Sequence, residues 1–116
     1  MASTSSPTLY KFVVYAPDKK DPETLQHRQS LLKAHLAANA DLINSGVFKV
    51  GGVLLSDDSV GSPDAKQTMA GSLIILEAEN IEAVRDFITK DPFYTSGKWD
   101  TEKLAIHPFH WVIGQQ

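Results

Sequence analysis

The chain has 116 residues, 42% of them hydrophobic and 22% charged, which suits one globular domain with enough apolar content for a core. A balance of 11 Lys and Arg against 14 Asp and Glu gives a formal charge of −3, and that mild acidity argues against a nucleic-acid partner. The sequence has no run of about 18 apolar residues that would cross a membrane, and the lack of cysteine excludes a disulfide scaffold, a thiolate metal site and a cysteine nucleophile.

Residues 1–8 are rich in Ser and Thr, without the apolar centre of a signal peptide or the arginines of a transit peptide. They read as a short flexible tail on a soluble, cytoplasmic protein whose single domain covers residues 9–113. Leu9 to Ala16 is rich in β-branched and aromatic residues and stops at Pro17-Asp18, which predicts a strand followed by a turn. After a charged loop, Glu23 to Ser45 reads as one long helix ended by Gly46, the residue best able to turn left-handed there. Phe48 to Leu55 is a second strand containing Gly51-Gly52, and Ser56 to Thr68 is a polar loop. Met69 to Ala78 is a third strand. Asn80 is placed to cap a helix over Ile81 to Lys90, where Ile81, Val84, Phe87 and Ile88 form an apolar stripe. Asp91 to Trp99 is irregular, and Thr101 to Val112 reads as the last strand.

The order βαββαβ is the ferredoxin-like split βαβ arrangement, an α+β fold with a four-stranded antiparallel sheet. Such a sheet carries helices on one face only. Phe12, Val14, Leu73 and Ile75 on one side, against Val13, Tyr15, Ile74 and Leu76 on the other, make both faces apolar. That pattern predicts a homodimer packed sheet to sheet, with higher assembly left open.

Chemistry is concentrated in two places. On the first helix, Leu25, Leu32, Leu36 and Ile43 cluster on one side, and Arg28, His35 and Asn39 fall within that stripe. Burying polar side chains without partners costs roughly 1–3 kcal/mol each, so these three must meet partners, water or a ligand. Asp91-Pro92 after the second helix has two readings. Aspartate before proline is a good N-cap for a short turn; equally, a carboxylate there can orient a histidine. Phe93, Tyr94 and Trp99 in the same loop either stack on a flat substrate or close the rim of the fold. Gly51-Gly52 is a bulge, or a strand thinned for a ligand to approach the backbone. His107 and His110 flank Pro108 and receive no role, and no metal-binding, dinucleotide or phosphate-loop motif occurs.

The fragments FVVYAPD, AHLAANADLINSGVFKVGGVLLSDD and AGSLIILEAENIEAVRDFITKDPFYTSGKWDTEKLAIHPF resemble the YCII-related domain family over about Leu9 to Val112. The most specific elements are His35-Leu36, the glycine early in the second strand, and Asp91-Pro92-Phe93. The resemblance implies a dimeric α+β barrel with a His–Asp dyad on His35 and Asp91. It also implies proton-transfer chemistry such as dehydrohalogenation of ring compounds. One departure stands out, since many members carry a basic residue three positions before the helix histidine and this chain has Leu32, keeping Arg28 seven before.

The expectation is a cofactor-independent, metal-independent lyase or isomerase acting on a small cyclic or phenolic substrate. His35 and Asp91 are its catalytic residues, with Arg28, Asn39, Phe93 and Trp99 binding substrate. The alternative is a dimer that binds a small ligand without turning it over, or that acts as a scaffold.

Overall fold

The structure, a computed structural model, describes residues 8–20 and 22–114, and the backbone alone for 22–29. The expected tail, apart from Thr8, lies outside the described residues. In chain order the elements are β1 (Tyr10–Pro17), α1 (Pro22–Ala38), α2 (Ala40–Asn44), β2 (Phe48–Leu55), β3 (Met69–Ala78), α3 (Ile81–Thr89), α4 (Pro92–Thr95) and β4 (Ala105–Phe109). The four strands form one antiparallel sheet in the order β2-β3-β1-β4, the ferredoxin-like arrangement.

Register decides which side chains share a face, and here it corrects the expected grouping. Phe12 lies opposite Leu76 and Val14 opposite Ile74, so these four form the inward face. All four are buried, with Val14 and Leu76 fully so. Val13 opposite Ile75 and Tyr15 opposite Leu73 form the outer face, where Tyr15 is 46% exposed. Directly opposed residues of an antiparallel pair point the same way, which a strand-by-strand count of odd and even positions does not capture.

The helices cover the inward face unequally. In α3, Val84 and Ile88 are buried as the stripe predicts, and Asn80 accepts a hydrogen bond from the Ala83 N–H at 2.9 Å as its N-cap. Each such buried aliphatic side chain contributes about 1.5–3 kcal/mol. In α1 and α2, by contrast, Leu36 and Ile43 remain 50% and 40% exposed. The described part of the first helix's stripe is therefore divided: Leu32 packs against the core, while Leu36, with Ile43 beyond it in α2, borders open space.

Three element boundaries differ from expectation, each for a local reason. The long helix breaks at Asn39, whose φ of −106° and ψ of 10° leave the helical region, and resumes as α2 before Gly46 ends it at φ +82°. The stretch after α3 is ordered by Asp91, which starts the single turn α4. The last strand is shorter than expected because Asp100 ties up its predicted beginning: its carbonyl accepts from the N–H groups of Lys103 and Leu104, both at 3.0 Å, and its side chain from that of Glu102 at 3.2 Å. The loop between β2 and β3 is anchored at its base, where buried Ser59 accepts from the Thr68 N–H at 2.8 Å.

Candidate functional site

His35 on the last turn of α1 and Asp91 at the start of α4 are 56 positions apart in sequence. Their side chains meet, with Nδ1 of the imidazole 2.6 Å from Oδ2 of the carboxylate. Asp91 is almost fully buried, its side chain 1% exposed against 13% for His35. The carboxylate is held by two further donors: Oδ1 accepts from the Phe93 N–H at 2.9 Å, and Oδ2 from Asn39 Nδ2 at 2.8 Å. The two readings of Asp91 are thus compatible, because one oxygen caps the turn while the other meets the histidine.

Asn39 explains the helix break. Its amide nitrogen donates to the His35 carbonyl at 2.9 Å and to Asp91, so the side chain bridges the helix to the carboxylate. Asn39 is 4% exposed and borders, with Asp91, a separate small cavity and not the one that His35 lines. A carboxylate held by fixed donors is acceptor-only, so the short contact places the imidazole hydrogen on Nδ1. In the neutral imidazole Nε2 then carries the lone pair. Among the described residues it has no hydrogen-bond partner.

His35 lines a cavity of about 360 Å³ between α1, α2 and the β2–β3 half of the sheet. Leu32, Leu36, Ile43, Phe48, Val53 and Ile74 supply apolar walls, Phe93 part of the base, and Ser72 a hydroxyl. The volume and the few convergent polar groups are those of a small-molecule site. Gly51 and Gly52 form part of the strand wall. The register irregularities of β2 fall between Phe48 and Val50 and between Leu54 and Leu55, so the glycine pair is not itself the bulge.

The aromatic residues expected to contact substrate are placed differently from one another. Phe93 lines the cavity but is fully buried, its ring centroid 4.9 Å from that of His35. Trp99 is also fully buried and packs edge-on toward the imidazole at 6.4 Å, behind the wall. Its position corrects the expectation of stacking on a substrate, because the indole has no face left for one. The two rings fix the imidazole plane. The side chain of Arg28 lies outside the described residues, as does that of His27. Ser72 was passed over in reading the sequence, although a hydroxyl at an inward position of an otherwise apolar strand is a legible signal. His107 and His110 are exposed and away from the cavity. Among the described residues, no cluster of His, Asp and Glu suits a metal ion, and no helix is long and apolar enough to cross a membrane.

Comparison with known proteins gives three kinds of match. The sequence model of the YCII-related domain matches residues 10–109. Fusaric acid biosynthesis protein 2 of Gibberella fujikuroi is 35% identical over 101 residues, covering 87% of this chain and 93% of that protein. The aspartate kinase FUB3 of Fusarium oxysporum is 37% identical over 102 residues, but the matched region spans only 18% of that longer protein. Among solved structures, the 5-chloro-2-hydroxyhydroquinone dehydrochlorinase TftG from Burkholderia phenoliruptrix, in complex with 2,5-dihydroxybenzoquinone, superposes with a TM-score of 0.69. It is 32% identical, with 90% of this chain and 95% of that chain covered.

Proposed function

The chain belongs to the YCII-related domain family, and from that premise we propose that it is an enzyme that processes a small, cyclic, hydroxylated molecule by proton transfer through His35 and Asp91. The observation that carries the reading is the 2.6 Å contact between the imidazole and a buried carboxylate at the wall of an apolar cavity. The similarity to a dehydrochlorinase seen with a dihydroxybenzoquinone supports the substrate class.

In the proposed mechanism, Nε2 of His35 accepts the proton of a ring hydroxyl. The O–H electron pair becomes a carbonyl π bond, and the displaced ring pair takes up a proton at carbon, giving the isomer. If that carbon carries a halogen, deprotonation of a second hydroxyl conjugated with it expels halide, for a net loss of the hydrogen halide. The two electron pairs stay within the ring and its leaving group, so the reaction needs neither oxidant nor reductant. Asp91 keeps the hydrogen on Nδ1 and stabilises the imidazolium that forms. The apolar walls keep bulk water from the charged intermediate. A second copy packed on the outer sheet face, where Tyr15 and the 39% exposed Val50 lie, fits the same reading and is tested by light scattering.

The test is halide release from 5-chloro-2-hydroxyhydroquinone and a panel of related hydroxylated rings, followed in the wild type and in His35→Ala. The expected result is turnover in the wild type and its loss, by at least about 100-fold, in a folded variant. Equal turnover in both proteins would remove the proposal.

A further inference from the structure

We infer that Gly51 is a specificity-determining residue of the cavity: its missing side chain leaves the space in which a flat ring lies against the β2 backbone. The inference rests on the function proposed above and adds the shape of the ligand and the residue that selects it.

Glycine inside a strand weakens it, having no side chain to pack and extra backbone freedom to lose, so its presence calls for a local reason. The fold supplies none at Gly51. The residue lies outside the positive-φ region, and a Cβ built on it meets no heavy atom within 4 Å. Gly71 makes the contrast, because a Cβ there would sit 2.6 Å from the Ala16 carbonyl oxygen and 2.8 Å from the Pro17 Cα. Gly71 is demanded by packing, whereas Gly51 and its neighbour Gly52 both face open space, and only register tells the two apart.

Register says where that emptiness is. Gly51 lies opposite Ile74, whose buried side chain points inward and lines the cavity, so a side chain at 51 would project from the same face. The space it would fill is bounded on the helix side by His35 and Leu36. Gly52 lies opposite Leu73, and its Cβ would leave from the outer face. A planar ring can lie on the bare peptide planes at Gly51 with its substituents toward His35. A ligand branched out of plane would not fit between helix and strand.

The experiment compares wild type, Gly51→Ala and Gly51→Val by thermal unfolding and by calorimetric titration with 2,5-dihydroxybenzoquinone. Because the added methyl meets open space, Gly51→Ala should raise Tm by about 2–5 °C. Gly51→Val should bind at least about tenfold more weakly, with no loss of Tm, since its side chain occupies the ring's place. Equal affinity in Gly51→Val and wild type would overturn the inference, as would a lower Tm in Gly51→Ala. A wild type that binds no dihydroxybenzoquinone would instead count first against the proposed function, and the inference would fall with it.

Discussion

Replacing Asn39 with alanine should destabilise the protein by about 2.5–4 kcal/mol, far more than an ordinary polar substitution on a helix. The value follows from what the amide does. Its nitrogen makes one bond to a neutral acceptor, the His35 carbonyl at 2.9 Å, and one to a carboxylate oxygen, Asp91 Oδ2 at 2.8 Å. The first contributes about 1 kcal/mol and the second about 1.5–3 kcal/mol. Neither acceptor is fully orphaned, because the Asn39 backbone N–H still reaches the His35 carbonyl at 3.1 Å and His35 Nδ1 still reaches Asp91. No desolvation penalty is therefore added. For a domain of this size the loss corresponds to a fall in Tm of about 10–16 °C. Circular dichroism melts of the two proteins at equal concentration measure it directly. A difference below about 0.5 kcal/mol, the size of an ordinary surface change, would refute the view that Asn39 is a strut for the dyad.

Two further substitutions probe neighbouring parts of the same account. Asp91→Ala should be less stable than Asp91→Asn by about 1 kcal/mol in urea unfolding, because the amide oxygen of asparagine can still cap the Phe93 N–H whereas alanine cannot. Both variants should lose halide release, since neither carries the charge that faces His35. Gly71→Ala should destabilise by about 1–3 kcal/mol, read from the same melts, because its Cβ would press on the Ala16 carbonyl from a backbone at φ +155°.

Much of this was legible in the sequence because local chemistry and tertiary demand agree. Asn80 caps α3, Gly46 turns the chain at the end of α2, and β2 and β3 run over the residues their patterns predict. His35 stood out as a polar residue within an apolar stripe, and Asp91 as an aspartate before proline at the end of a helix. Tertiary contacts decided the rest. Helical periodicity runs straight through Asn39, and only the position of Asp91 from another element turns that residue into a break. Trp99 and Phe93 read alike in sequence, yet one backs the cavity wall and the other forms part of it. The face shared by Val14 and Ile74 depends on strand register, which no single strand encodes. The glycine pair marks β2 as unusual in sequence, and the cavity beside it is visible only in the fold.

The central claim is that His35, oriented by Asp91, presents an unprotonated Nε2 to a ring bound in the cavity. Nitrogen-15 spectra of the His35 side chain, recorded with and without 2,5-dihydroxybenzoquinone, test it most directly. In the ligand-free protein the hydrogen should reside on Nδ1, and addition of the quinone should shift the Nε2 resonance selectively. A hydrogen on Nε2, or an Nε2 resonance unmoved at saturating quinone, would contradict the account.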